Sequence, residues 1–326
     1  MNWATPTAGT LGPEPTVAVR VGTEILEIAL RGATPLRWLV DLPSGTTDVL
    51  DGYRDAGELY AQDGVRNGVM APFCNRVADA KYVFDGIEHD LLPGEVDRTI
   101  YHGLVRSLPF TLDEVCEEDD GARVTFRCDA LSAGLRPGYP FAIEVEVSYH
   151  LRVGSLQLEI TGRNAGKGAA PFAAGWHPYF RLPGASTVDQ LHLTLSSSVE
   201  IRTDADLIPH PGAAAYRALA AAPVRFEPIG DATLDRCYAD LRSDRTPRRA
   251  VLHDPATGVE LAVWADRGLV HVFSGDTLAR DRRASVAIEP VEVMTDAFNR
   301  PECAAAIRLE PGERRTFRCG VEISST

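Results

Sequence analysis

Four short segments of this 326-residue chain place polar side chains among apolar or turn-forming neighbours. They are Met70–Arg76, Tyr101–Gly103, Gly175–Phe180 and Ala287–Pro290. The side chains in them that could carry chemistry are Arg76, His102, His177 and Glu289. Each segment alone also has a plain structural explanation, such as a surface ion pair or a buried aromatic cluster.

Taken together, one carboxylate, two histidines and one arginine suit proton transfer on a neutral substrate that is rich in hydroxyl groups. Pro178 favours an extended backbone at His177, and the aromatic residues around it predict a rigidly held imidazole. Glu289 ends an apolar run just before Pro290, an unusual place for a carboxylate that is merely solvated. Glu292 is the alternative carboxylate in this segment.

Other chemistries lack their motifs in this chain. There is no P-loop, no G-x-G-x-x-G after a strand, no G-x-S-x-G and no H-E-x-x-H. The six cysteines form no C-x-x-C pair, which predicts free thiols rather than a disulfide framework or a structural metal.

Charge and hydropathy limit the classes of molecule that this protein is expected to bind. The formal net charge of −13, from 46 acidic and 33 basic residues, argues against nucleic acid and against an anionic membrane surface. The chain has no run of about 18 apolar residues, so we expect no transmembrane helix. Residues 1–16 lack the features of a secretory signal. We therefore expect a cytoplasmic protein, monomeric or homodimeric, whose partner is a small molecule.

Period-2 alternation of apolar and polar residues is the main structural signal, and it predicts strands. In Phe141–His150, for example, Ile143, Val145 and Val147 alternate with polar residues. The other predicted strands are Thr16–Val21, Arg123–Cys128, Leu156–Ile160, Leu191–Leu195, Val259–Val263, Leu269–Phe273, Ser285–Ile288 and Thr316–Ile323. Ala213–Ala222 reads as a surface loop with a helical turn.

Dipeptides such as Asp85-Gly86 and Pro311-Gly312 supply the turns between these strands. The pattern predicts an all-β fold, a large antiparallel β-sandwich with few short helices, as a single domain over residues 1–326.

Five blocks, in this order, resemble the aldose 1-epimerase (galactose mutarotase) family. They are A-P-F-C-N-R ending at Arg76, H-G-L-V-R from His102, G-W-H-P-Y-F around His177, T-L-D-R-C-Y around Asp235, and I-E-P to D-A-F-N from Ile288 to Asn299. The resemblance extends roughly from Ala29 to Cys319. It implies a sandwich of the galactose-mutarotase type with an open cleft on one sheet.

The same resemblance implies a role for each site residue. Glu289 would be the general base that removes the proton of the anomeric hydroxyl, and His177 the general acid that protonates the ring oxygen. His102 would lie beside them, binding the sugar and stabilising charge near the ring oxygen. The sugar-binding residues that it implies are Arg76, Asp235 and Asn75.

Opening a cyclic hemiacetal needs loss of the O1 proton and gain of a proton at the ring oxygen, which a carboxylate and an imidazolium supply together. The net proton change is zero, so we expect no cofactor and no metal. We expect Glu289 to be ionised and His177 protonated near neutral pH. We also expect the two to face each other across a gap that is wide enough for a pyranose ring.

Other functions remain open at this stage. A hexose-6-phosphate mutarotase would use arginines near the cleft segments, with Arg66, Arg98 and Arg106 as candidates. A sugar-binding member without turnover, or one repurposed for an unusual hemiacetal, would keep the same fold. A glycosidase would use Asp235 and Glu289 as its two carboxylates.

Overall fold

Antiparallel strands make up most of the computed structural model, which describes residues 6–132, 136–239 and 248–325. In chain order the strands are β1 (Thr7–Leu11), β2 (Glu14–Val21), β3 (Glu24–Ala29), β4 (Thr34–Leu42), β5 (Gly45–Asp48), β6 (Gly68–Met70), β7 (Lys81–Phe84), β8 (Ile87–Asp90), β9 (Thr111–Glu118), β10 (Gly121–Cys128), β11 (Ile143–Arg152), β12 (Ser155–Asn164), β13 (Ala170–Pro171), β14 (Gly175–His177), β15 (Tyr179–Phe180), β16 (His192–Leu195), β17 (Val199–Ile201), β18 (Tyr216–Ala218), β19 (Val224–Phe226), β20 (Asp235–Ala239), β21 (Arg248–Asp254), β22 (Val259–Ala265), β23 (Leu269–Phe273), β24 (Val286–Val291), β25 (Arg308–Leu309) and β26 (Arg314–Ser325).

Helices in the described ranges are few and short, as the sequence predicts. The α-helices are α1 (Ala56–Ala61) and α2 (Ala304–Ile307). The 3₁₀ turns are Asp63–Val65, Ala78–Ala80, Val105–Ser107, Val188–Gln190, Gly212–Ala215, Ala297–Asn299 and Pro301–Cys303. Helix α1 begins where the Asp55 carboxylate accepts the Glu58 backbone N–H at 2.9 Å. None of the helices in the described part of the chain has the length and apolar character that crossing a bilayer requires.

Two large sheets form the sandwich. One has nine strands in the order β19-β16-β21-β22-β26-β12-β11-β10-β9, and the other follows the order β18-β17-β20-β23-β24-β14-β6, with β15 also paired to β24. Strands β1 to β5 form a separate sheet in chain order. Strand β22 packs against β24, and β21 against β23, so the two large sheets face each other.

All nine predicted strands overlap strands of the structure, and the all-β prediction is confirmed. Leu269–Phe273 has the predicted bounds as β23. The interpretation of Ala213–Ala222 was wrong in part, because Tyr216–Ala218 leaves the 3₁₀ turn and pairs with β17 at the sheet edge. That the whole chain is one domain stays a prediction.

Alternation along the strands sends apolar side chains inward between the sheets. On β23 the buried Val270 and Val272 take one face, while His271 takes the other. Burying each such valine contributes on the order of 1.5–3 kcal/mol. The outward face of this sheet is therefore free to carry polar groups. The six cysteines, all within the described ranges, are free thiols, as predicted.

A close backbone approach joins two loop segments that carry candidate site residues. The Ala71 carbonyl accepts the backbone N–H groups of Leu104 at 2.7 Å and Val105 at 3.1 Å. Gly103 lies at φ +73°, and a Cβ built there would come within 2.2 Å of the Ala71 oxygen. Only glycine fits this position, which explains why glycine follows His102.

Gly103→Ala will lower the free energy of unfolding more than Gly86→Ala does. Gly86, in the β7–β8 turn, has a similar φ of +79° but open space around it. The shared left-handed backbone costs about 1–2 kcal/mol, and the clash at Gly103 adds about 1–3 kcal/mol. Urea unfolding of both variants measures the difference. Equal losses would show that the contact with Ala71 relaxes without cost.

Candidate active site

Three neighbouring strands place three titratable side chains on the outward face of the sheet. Across the β20–β23 pair Cys237 is opposite His271, and across the β23–β24 pair His271 is opposite Glu289. Asp235 lies two residues before Cys237 and therefore on the same face. Directly opposite residues have their Cβ atoms about 4.5–5.5 Å apart, and diagonal neighbours are also within reach. The register alone brings Asp235, His271 and Glu289 together.

Strand β14 adds His177 to the same face. It pairs with β6, where His177 is opposite Gly68, and with β24 through Gly175. Trp176 points the other way, fully buried, and its indole N–H donates to the Asn67 carbonyl at 3.1 Å. The imidazole of His177 stacks on the Tyr179 ring at 5.0 Å between centroids. Packing on both sides of the strand fixes this imidazole, as its neighbours in the sequence predict.

Residues from loops complete the group of side chains beside this face of the sheet. Arg76 and Tyr101 form an isolated β-bridge, and the backbone N–H of His102 donates to the Asn75 carbonyl at 2.9 Å. The Asn75 side-chain oxygen accepts the backbone N–H of Arg76 at 2.8 Å. The Arg76 guanidinium lies over the Tyr101 ring, 5.6 Å from its centroid. Asn75 thus fixes the backbone from which Arg76 extends.

These residues line a cavity of about 320 Å³ on the outward face. All six residues that the sequence suggested contribute to it: Asn75, Arg76, His102, His177, Asp235 and Glu289. Further lining residues are Asp63, Tyr101, Tyr179, His271 and Phe273. Small-molecule sites typically have volumes of about 300–1,000 Å³, and this cavity is large enough for one sugar ring.

His177 and Glu289 are in contact, which corrects the expected gap. His177 Nε2 lies 3.3 Å from Glu289 Oε1, and the residues are only 4% and 1% exposed. No pyranose ring fits between them, so a ligand must lie over the pair. We expected a gap because the anomeric oxygen O1 and the ring oxygen of a sugar were assigned to different side chains, one on each side of the ring. Because both oxygens are bonded to C1, the groups that serve them can be neighbours.

Burial sets the protonation of this pair. It lowers the pKa of His177 to about 3 and raises the pKa of Glu289 to about 8, while the charge of His271 opposes the rise at Glu289. Near neutral pH the resting pair therefore holds one proton, on the carboxyl group. We expected an ionised Glu289 beside a protonated His177. That state has the same number of protons, but burial disfavours its separated charges.

His102 is also held neutral. Its ring centroid is 4.7 Å from that of His177, nearly perpendicular, and its Nδ1 is 2.9 Å from the Met70 sulfur. Burial first, and then the nearby His177, lower its pKa well below the usual range. A thioether only accepts hydrogen bonds, so Nδ1 carries the hydrogen and Nε2 is left as an acceptor. A neutral acceptor suits a sugar hydroxyl better than it suits developing negative charge.

Sequence reasoning missed His271. Its Nε2–H donates to Asp235 Oδ1 at 2.8 Å. Burial alone would lower the pKa of His271, but Glu289 and Asp235 raise it well above the usual range. Burial would raise the pKa of Asp235, but the bond and charge of His271 lower it. The strand Leu269–Phe273 was predicted, and a polar residue facing away from Val270 and Val272 was the available signal.

Glu292, the alternative carboxylate, does not line the cavity. Its Oε1 accepts from Arg267 at 2.8 Å and lies 3.2 Å from Arg315, and its Oε2 accepts the Ala174 backbone N–H at 3.0 Å. These contacts tie β24 to the neighbouring sheet. Glu292 is therefore a structural ion-pair residue.

The three arginines considered for a phosphate have other partners. Arg66 is buried and pairs with Asp51. Arg98 pairs with Asp90 at 2.7 Å. The third, Arg106, donates to Gln62 Oε1 at 3.1 Å and lies over the Tyr101 ring. None of them lines the cavity.

Within the described ranges, one group has the spacing to hold a metal ion. It comprises His102, His177 and Glu289, whose potential ligand atoms lie within 4.8 Å of one another. The same atoms are the acid–base groups of the cavity, and a bound cation would compete with protons for them.

Comparison with known proteins agrees with this architecture. The sequence pattern described as aldose 1-epimerase matches residues 20–322. The chain is 26% identical to the uncharacterized protein YihR of Escherichia coli K12 over 241 residues, 71% of each chain.

Solved structures share the fold. A galactose mutarotase-like protein from Clostridium acetobutylicum matches with a TM-score of 0.83 at 14% identity, covering 100% of both chains. A galactose 1-epimerase from Lactobacillus acidophilus matches with a TM-score of 0.80 at 12% identity, covering 99% of this chain and 98% of the other. With its family pattern spanning nearly the whole length, this chain belongs to the aldose 1-epimerase family.

Proposed function

We propose that this protein is a mutarotase, which interconverts the α and β anomers of a free aldose such as glucose or galactose. The observation that carries the proposal is the buried contact between His177 and Glu289, 3.3 Å apart at the floor of a polar cavity. Two groups that share one proton beside a hydroxyl-binding wall can move protons to and from one carbon centre.

The reaction begins when the pair's proton passes from Glu289 to His177 across their contact. The Glu289 carboxylate then accepts the O1 proton of the sugar as C1=O1 forms and the C1–O5 bond breaks. His177 gives its proton to O5. The open aldehyde rotates about C1–C2, and O5 attacks the other face of C1 while both protons return. Atoms and protons balance, because each group ends in its starting state.

The remaining side chains hold the sugar over this pair. Arg76 pairs with no carboxylate of the described residues, so its fork of donors is available for hydroxyl oxygens. The free lone pairs of Asp235 can accept from hydroxyls while His271 fixes one of its oxygens. His102 offers Nε2 as an acceptor. Asn75 acts through the backbone of Arg76.

A neutral sugar fits this cavity better than a sugar phosphate. The arginines that could have bound a phosphate are engaged elsewhere, and Asp63 and Asp235 add carboxylates to the lining. A phosphate is best held by two or more converging arginines, whereas this lining offers the single guanidinium of Arg76 beside those carboxylates. We therefore place hexose 6-phosphates second as substrates.

Glu289→Gln and His177→Asn will each slow anomer exchange by about 10²–10⁴-fold, because each removes one partner of the proton transfer. The double variant will lose little more than either single variant, since the two groups act as a unit. Polarimetry or NMR exchange on freshly dissolved α-glucose or α-galactose measures the rates.

Glu88→Gln and His253→Asn are matched controls, because both residues lie outside the cavity. Wild-type rates in either site variant would refute the acid–base assignment. Sugar binding by calorimetry without any exchange in the unmodified protein would instead favour a binding protein.

The catalysed rate will fall as the pH rises through about 8. Below that pH the pair holds the proton that must reach O5, and above it Glu289 ionises while His177, with a pKa near 3, stays neutral. The pair then has no proton to give. Measurement of kcat/KM against pH, after subtraction of the uncatalysed rate, tests this. A rate that keeps rising above that point would mean that a carboxylate alone suffices.

Unphosphorylated glucose or galactose will have a kcat/KM at least about tenfold above that of glucose 6-phosphate, because the lining offers a phosphate one guanidinium, Arg76, rather than a converging set of arginines. NMR exchange on the three sugars under identical ionic strength gives the comparison. A faster reaction of the phosphorylated sugar would reverse the proposed order of substrates.

A further inference from the structure

The third histidine of the cavity has no part in the proton transfer described above. His271 is only 8% exposed and sits in the middle of β23, between the strand that carries Asp235 and the strand that carries Glu289. Its position between two carboxylates is set by strand register rather than by a flexible loop. A buried imidazole in such a place has a fixed electrostatic influence on both neighbours.

One bond orients the ring. Nε2 lies 2.8 Å from Asp235 Oδ1, a distance typical of a charge-assisted hydrogen bond. On the other side, His271 is the direct cross-strand neighbour of Glu289. The imidazole thus binds a sugar-facing carboxylate and faces the proposed base.

The surrounding charges favour a protonated ring. The titratable groups that interact with it are Asp235, Cys237, Glu289, His177 and His102, and the charges of Arg76 and Arg106 act on those neighbours. Burial lowers the pKa of His271, but Glu289 in its ionised form, Asp235 and Cys237 together raise it above its usual range. The two other histidines have lowered pKa values, so they contribute little positive charge near neutral pH.

We propose that His271 is a positioning residue that stays positively charged, orients Asp235 toward the sugar, and keeps Glu289 able to act as a base. The role of Glu289 rests on the proposed mutarotase function. A cation beside Glu289 favours the carboxylate, and so favours the state in which the shared proton has moved to His177. Without that charge, the proton would lie on His177 in a smaller fraction of the molecules, and O5 would be protonated less often.

Titration of the ring by NMR tests the charge without any assay of activity. In the unmodified protein, labelled in its histidines and with the His271 signal assigned from the His271→Gln variant, His271 will titrate above the ordinary pKa of a histidine. Asp235→Asn will lower its pKa. A ring that titrates at or below the ordinary pKa of about 6.5 would overturn the proposal, whether or not the protein is a mutarotase.

Kinetics test the effect on Glu289. His271→Gln keeps an N–H donor for Asp235 but removes the charge, and His271→Leu removes both. In His271→Gln, kcat will fall on the order of tenfold, as a shift of about one unit in proton affinity would cause. The alkaline limb of the kcat/KM profile will move to higher pH, because Glu289 will hold its proton more tightly.

His271→Leu will additionally raise KM, because Asp235 loses its fixed orientation. His253→Gln, a histidine substitution on the opposite sheet, is the matched control and will leave the profile unchanged. A lowered rate with an unmoved alkaline limb in His271→Gln would mean that His271 serves only the structure. If no variant or unmodified protein exchanges anomers, the proposed function fails, while the NMR result still decides the charge.

Discussion

One proton shared by two buried side chains is the constraint on which the candidate site depends. Glu289 and His177 are almost wholly removed from water and lie 3.3 Å apart. Burying two separate charges would cost several kcal/mol each, so the resting pair is neutral, with a protonated carboxyl beside a neutral imidazole. Between their pKa values of about 3 and about 8, the pair holds one proton. This arrangement gives the site a proton that can move without exchange with solvent.

The packing of the β-sandwich offsets the free-energy cost of burying such a pair. Every second residue of β23 and β24 enters the apolar core between the sheets, and His271, Phe273 and Glu289 on the other face line the cavity. The same backbone hydrogen bonds that stabilise the core therefore fix the spacing of His271 and Glu289. The site residues that do not lie on strands, such as His102, come from loops. The segment at Gly103 packs against Ala71 and brings His102 next to His177.

Much of this could be predicted from the sequence, because the relevant signals are local. Period-2 alternation located the strands, and five ordered blocks identified the family and all six proposed site residues. The expectations that failed concern one cross-strand pairing, one distance and the protonation that follows from burial. His271 lies on a strand whose bounds were predicted correctly, but its pairing with Glu289 depends on the long connection between β23 and β24. The protonation of His177 was misjudged because a neighbouring carboxylate was weighed without the burial that outweighs it.

The short distance between Glu289 and His177 also determines how a sugar lies in the mechanism that we propose. A ring held between an acid and a base would meet one group on each side, but a ring above a contacting pair presents its C1 edge to both. O1 and O5 are the two oxygens bonded to C1, so a single edge brings both to the pair. In the proposed complex the rest of the ring extends along the wall, which includes Arg76 and Asp235. In the proposed mechanism, recognition of the hydroxyls and transfer of the protons thus fall to different residues of one cavity, and His271 contacts Asp235 and is the cross-strand neighbour of Glu289.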